Sequence, residues 1–261
     1  MNLNSEPIIK AGQFCIGSHE NLRGELSLQG RNSALHIEMN NREFFKSEFF
    51  KPEFFRQDIV GILDDQEKIS LIKCIRNRIK WAENSCKFFP CYVIIGDHLH
   101  EFDKVIEEVS FVVDDADVLF GSQNSSDNLE VFSIETDTNI ERISAYISMT
   151  NNQISNKTWI RIKFRHYLNI KEVDEKIDTI LRFLEIIAGR PQNVLEVKIK
   201  IKDNPEQLSS YLNSWSSRIE SSENPKPSCD VLMNAANQRE KFETLISKWL
   251  ERDEDDTWQI A

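Results

Sequence analysis

The stretch VDEKIDTILRFLEIIAGRPQNV, from Val173 to Val194, constrains the fold more than any other part of the chain. Apolar residues recur at Val173, Ile177, Ile180, Leu181, Leu184, Ile187 and Ala188, a spacing that lays one continuous stripe along a helix. Asp174, Asp178, Arg182 and Glu185 take the wet side. Gly189 can adopt the left-handed conformation that closes a helix, and Pro191 cannot continue one, so the stop is marked twice. A one-faced helix must bury its stripe against another element, and its flanks supply one. TWIRIKFRHYLNI, which follows Lys157, alternates with period two. It places Ile160, Ile162, Phe164 and Leu168 inward and Trp159, Arg161, Lys163, Arg165 and Tyr167 outward. LEVKIKI, Leu195 to Ile201, alternates likewise, with Leu195, Val197, Ile199 and Ile201 on one face. The helix is a packing element for a sheet.

The chain before it reads as short strands. Gly24 to Gly30 and Ala34 to Met39 alternate across a turn and predict a hairpin. IVGILDD from Ile59, KISLIKC after a turn at Asp64 to Glu67, CYVIIGD from Cys91, Val105 to Val113, EVFSI and RISAYISM continue the series. Between them, Glu43 to Phe55 repeats Glu-Phe-Phe every five residues. A five-residue step turns about 140° on a helix, so the pairs form no single stripe; a local duplication at the core edge is the sparer reading than an aromatic docking patch. Beyond Asp203 a Ser-rich stretch suggests a short helix near Leu208 to Ile219, and NPKPS, Asn224 to Ser228, reads as a linker. Asn234 to Leu250 predicts a last helix with Phe242, Leu245, Ile246, Trp249 and Leu250 on its apolar side, ending in the acidic run ERDEDD. The expected fold is α+β: a predominantly antiparallel, sandwich-like β-sheet packed on one main helix, with a C-terminal helix. The expected division is a β-rich region at 1–223 and a linker with a connector helix and acidic tail at 224–261.

Five cysteines without a C-x-x-C suit reduced thiols rather than a disulfide framework. No apolar run reaches the roughly 18 to 20 residues of a membrane helix, and no basic-then-apolar leader is present, so a cytoplasmic location is expected. The net charge of −11 disfavours nonspecific capture of nucleic acid, so no direct nucleic-acid binding is expected, nor a membrane partner. Charge is also segregated: Asp97 to Glu141 holds thirteen acids and one base, and Lys157 to Lys171 holds five bases and no acid.

Motifs for catalysis are weak. Arg161 and His166 match R-x-x-x-x-H, but on a strand residues five apart face opposite ways, with His166 expected at the core margin. Asp97, His98 and His100 lie together, and H-x-H on a strand aligns two imidazoles, which makes a metal-dependent enzyme the alternative reading. The spacing from Cys86 and Cys91 matches no common zinc pattern, and a polar strand-end turn is the plainer account. Adjacent acids at Glu107–Glu108 and Asp114–Asp115 point apart on a strand. No catalytic, metal or cofactor residues are therefore assigned. The interleaved face Trp159, Arg161, Lys163, Arg165, Tyr167 is the best binding candidate, meeting either an acidic partner or acidic strands of its own sheet. Trp249 is the second, with an exposed patch expected to favour weak self-association.

Four blocks, Ile59 to Cys74, Val93 to Val113, Val173 to Pro191 and Phe242 to Glu251, in this order and spacing resemble the N-terminal domain of ApeA-type bacterial anti-phage proteins, the variety that precedes a C-terminal HEPN ribonuclease domain. Where such domains tend to carry a tryptophan, near Asp117 to Gly121, this chain has Leu119 and Phe120. The resemblance implies a sensor or regulatory domain in abortive infection. It would restrain a HEPN nuclease supplied in cis or in trans, with a phage protein as a further partner, and the nuclease domain itself is expected to begin after Trp249, outside this chain.

Overall fold

The computed structural model describes residues 7–29, 33–38, 56–80, 85–120, 129–148, 157–204, 207–212, 232–235 and 237–255. The chain divides into two compact units, Met1–Asp103 with Leu208–Ser217, and Lys104–Gln207 with Arg218–Ala261.

The first unit is a closed barrel. Its strands are β1 (Ile8–Ile16), β2 (His19–Leu28), β3 (Ala34–Glu38), β4 (Arg56–Leu63), β5 (Lys68–Lys80) and β6 (Ser85–Phe89). They run in the order β4-β1-β2-β3-β6-β5, and β5 pairs back onto β4, every pair antiparallel. Closure satisfies the backbone groups that a sheet edge would leave open. Alternation supplies the filling: Phe14, Ile16, Leu26, Leu28, Leu35, Ile37, Ile59 and Leu63 all point into one buried cluster. The β1–β4 seam is tight enough to need glycine on both sides. A Cβ on Gly12 would lie 2.6 Å from the Ile62 carbonyl oxygen, and one on Gly61 2.6 Å from that of Gln13. The start of β5 also pairs with β7 (Tyr92–Ile95), and β13 (Gln207–Leu212) pairs with β7.

The expected hairpin and the turn at Asp64 to Glu67 are present as β2–β3 and β4–β5. The Ser-rich stretch is not helical where it is described, because β7 offers a row of backbone donors and acceptors that Gln207–Leu212 completes as a strand. The Glu-Phe-Phe repeat and the NPKPS linker lie outside the described residues.

The second unit is a five-stranded antiparallel sheet backed by helices. Its strands are β8 (Ile106–Val113), β9 (Leu129–Glu135), β10 (Ile140–Ser148), β11 (Lys157–Leu168) and β12 (Val194–Ile201), in the order β12-β8-β11-β10-β9. Three helices join them: α1 (Ala116–Phe120), α2 (Ile170–Ala188) and α3 (Arg239–Asp255). The expected stripe of α2 is buried throughout, with Ile170 and Phe183 added to it. Asn169 caps its start through a reciprocal box with Glu172, and Gly189 closes its end at φ 68°. α3 packs on β9 and α2. Phe242 centres an aromatic cluster, its ring 5.0 Å from Phe132, 5.5 Å from Phe183 and 5.9 Å from Phe120.

The structure is thus α+β, mostly antiparallel strands with one main helix and a C-terminal helix. Three side-chain assignments are corrected. Trp159, expected outward, is only 4% exposed; it lies opposite Tyr146 and under the Lys198 ammonium, so the outward face is itself partly covered. Leu195, expected inward, is exposed, because the β8–β12 register shifts between Val194 and Glu196. His166 is exposed instead of lying at the core margin, because the register against β8 slips between Lys163 and Leu168. The C-terminal helix begins at Arg239 and continues to Asp255, with Leu245 at 38% exposure while Phe242, Ile246 and Leu250 are buried. No helix among the described residues is long and apolar enough to cross a membrane.

Two tests follow from α2. Leu184 is buried and Arg182 is 64% exposed, paired with Asp178. Leu184→Asp buries an unpaired carboxylate at a cost of several kcal/mol, comparable with a domain stability of roughly 5–15 kcal/mol, and abolishes the cooperative melt. Arg182→Asp stays within about 1 kcal/mol of wild type. Equal melting temperatures for the two variants would mean that the helix face is misassigned. The second test concerns Glu172. Burial raises its pKa, but the Lys104 ammonium and the Asn169 N–H outweigh burial and hold it below the usual carboxylate value of 4.5. A depressed native pKa contributes stability above the unfolded value, and that contribution disappears as pH falls through the lowered one. Thermal melts taken below pH 4.5 should therefore drop less steeply in Glu172→Gln, which keeps the box acceptor and loses the charge.

Candidate functional site

The outward face of the second unit's sheet places its residues in rows set by strand register. One row runs Lys198, Ser110, Arg161, Ser144, Ser133, and the next runs Lys200, Glu108, Lys163, Arg142, Glu135. The cations singled out in the sequence meet acids or carbonyls of their own unit. Arg161 lies 3.2 Å from Glu108 and over the Tyr146 ring at 4.3 Å. Lys163 reaches Glu141 at 2.6 Å. Arg165 donates to the carbonyls of Thr136 and Thr138 and so braces the β9–β10 turn. Tyr167 is 41% exposed beneath Lys202. The acidic tract and the basic tract of the sequence thus meet across neighbouring strands, which is how opposite charges stabilise a sheet. Trp249 is half-buried, its Nε1 donating to the Thr179 carbonyl at 3.0 Å and its ring 6.1 Å from Phe183.

The histidine cluster forms a different arrangement. After β7 the chain crosses the β4–β5 hairpin, and four successive amides are each taken by a side-chain oxygen. His98 N–H donates to Asp97, Leu99 to Ser70, His100 to Asp103 and Glu101 to Asp58, at 2.7–2.8 Å. His98 Nε2–H donates to the Gly61 carbonyl at 2.9 Å, which commits that nitrogen to a proton. Asp97 is bonded to Lys68, and the Lys73 ammonium sits 2.7 Å from Glu101. Burial pushes the Asp97 pKa up, but the His98 N–H and Lys68 more than offset it. Asp97, His98 and His100 therefore face different partners, and among the described residues no group of three or more His, Cys, Asp or Glu side chains could hold a metal.

A third cluster was not found by sequence reasoning. The Asp115 carboxylate, 2% exposed, receives Arg190 Nε at 2.6 Å, a second Arg190 nitrogen and Gln192 Nε2 at 2.7 Å; Gln192 Oε1 accepts the Asp115 N–H. The adjacent Asp114 turns instead to Asn193. The cluster ties the loop after α2 to the start of α1. Its signal in the sequence was Gly-Arg-Pro-Gln-Asn, where only the helix-stopping residues drew notice. Two thiols are unsuited to nucleophilic chemistry at neutral pH: burial pushes Cys86 up to about 12 and raises Cys74 well above its ordinary value.

These features define a two-unit β domain, a closed barrel followed by a helix-backed antiparallel sheet, whose polar clusters brace the fold. The chain matches the family of ApeA N-terminal domain 1 over residues 10–249 and belongs to it, a family of domains of anti-phage defence proteins. No curated protein and no solved structure matches it.

Removing Arg190 leaves Asp115 a buried carboxylate short of its cation. Arg190→Ala should cost about 3–5 kcal/mol in urea unfolding. A loss below about 1 kcal/mol would mean that the pair is exposed to solvent in solution.

Proposed function

We propose that this chain acts as a non-catalytic sensor or regulatory domain of an ApeA-type anti-phage protein in the cytoplasm, and that it controls a HEPN ribonuclease domain in cis or in trans. The family match across both units carries this reading. The side chains with catalytic potential support it through their commitments: Arg161 to Glu108, His98 to Gly61, Asp97 to Lys68. The R-x-x-x-x-H pair sits on a strand rather than a helix, with Arg161 held by Glu108 and His166 exposed within the register slip between Lys163 and Leu168. A net charge of −11 fits recognition of a phage protein better than direct capture of nucleic acid.

The test pairs this chain, fused or co-expressed, with a HEPN nuclease of the ApeA type and measures RNA cleavage and plaque formation on phage challenge. The purified chain alone should leave RNA intact. Co-expression should make cleavage depend on infection. RNA cleavage by the chain alone that is lost in His166→Ala would overturn the non-catalytic assignment, and nuclease activity indifferent to the presence of this chain would overturn the regulatory one.

A further inference from the structure

Phe102 is 79% exposed, the most exposed large apolar side chain among the described residues, yet it stands on a segment with little freedom. The four amides that precede it, from His98 to Glu101, are fixed to Asp97, Ser70, Asp103 and Asp58, drawn from β4, β5 and the loop itself. Ser70 works in both directions, accepting from the Leu99 N–H and donating to the Asp97 carbonyl at 2.9 Å. Leu99 is buried beneath, and the Lys73–Glu101 pair is itself largely shielded, at 13% and 16% side-chain exposure. Asp103 N–H donates to the His100 carbonyl, closing a turn around Phe102. Anchoring of this density is redundant for a surface connection, and it leaves the aromatic ring outside every contact that it creates.

We infer that Phe102 is a preorganised anchor for a protein partner that offers an apolar pocket rimmed by lysine and arginine. An aromatic held in place before binding avoids much of the ordering entropy of association, and single buried aromatics often dominate interface energetics. The rim chemistry follows from local charge: the four acids Asp58, Asp97, Glu101 and Asp103 outnumber the neighbouring cations Lys68, Lys73 and Lys104. The same excess, with a net charge of −11 over the chain, argues against a second copy of this chain, a nucleic acid or an anionic membrane as the occupant. This surface is independent of whether the chain controls a nuclease.

The experiment places p-benzoylphenylalanine at position 102 in cells with and without phage challenge, with position 9 as an exposed control. Irradiation should give one discrete adduct from position 102 in at least one arm and none from position 9. The partner, identified by mass spectrometry and purified, should bind the native chain with an affinity that falls between roughly 0.05 and 0.5 M salt. Phe102→Ala should weaken that binding about 30-fold. Its melting temperature should not change, since the ring contributes little to the fold. Absence of an adduct in both arms, an adduct of twice the chain's mass, the same adduct from position 9, or an affinity indifferent to Phe102→Ala or to salt would each overturn the inference.

Discussion

Burial of the α2 stripe is the constraint on which the second unit depends. Nine residues from Ile170 to Ala188 have to leave water together, and each large one contributes about 1.5–3 kcal/mol only if a matching apolar surface receives it. The sheet meets this demand by order. β11 and β12, the strands on either side of the helix in sequence, are separated in the sheet by β8, which pairs antiparallel with both. β8 is accordingly the strand whose sequence alternates least, buried from Val109 to Val113 on both faces. The arrangement then needs the ends of α2 to be fixed. The Asn169–Glu172 box fixes the first, and Gly189 with the Arg190–Asp115–Gln192 cluster fixes the second.

The first unit answers a different problem. Short strands of five to thirteen residues cannot each find a covering layer, and ring closure gives every one of six strands two neighbours. Closure requires the β1 and β4 backbones to approach more closely than side chains permit, which Gly12 and Gly61 allow. The Gly61 carbonyl also receives His98, so one glycine serves both the seam and the segment that crosses it.

What could be read from the sequence was whatever depended on periodicity. α2, its stop, β11, β12 and the β2–β3 hairpin follow from spacing alone, because a period of 3.6 or 2 is imposed by the backbone. Two of the misplaced side chains share an origin in register. His166 and Leu195 were placed by continuing an alternation through points where the pairing slips, and no local signal in either strand marks the slip. Strand β13 was read as helix because its partner β7 lies more than a hundred residues earlier, so its preference is tertiary. The polar clusters were illegible for the same reason. Asp58 and Glu101, or Asp115 and Arg190, are meaningful as pairs only once strands have been placed side by side.

The charge pattern shows how a feature visible in the sequence can still mislead about its use. The basic tract at Lys157 to Lys171 has the composition of a binding surface, and part of it is matched by acids of the preceding tract: Glu108 for Arg161, Glu141 for Lys163, Asp137 within 3.9 Å of Arg165. Once those opposite charges are paired, the tract no longer presents unmatched cations at these positions, and its aromatic residues become supports for cations, as Trp159 is for Lys198 and Tyr167 for Lys202. The loop from Asp97 to Asp103 is the converse case. Its histidines and acids suggest a metal site in sequence, and in three dimensions the His98 ring holds the Gly61 carbonyl while Asp97 and Asp103 hold amides of the loop, with Phe102 the large apolar side chain of the loop that faces outward. Polar residues in this fold mostly position the chain, and recognition falls to the side chain that they hold out.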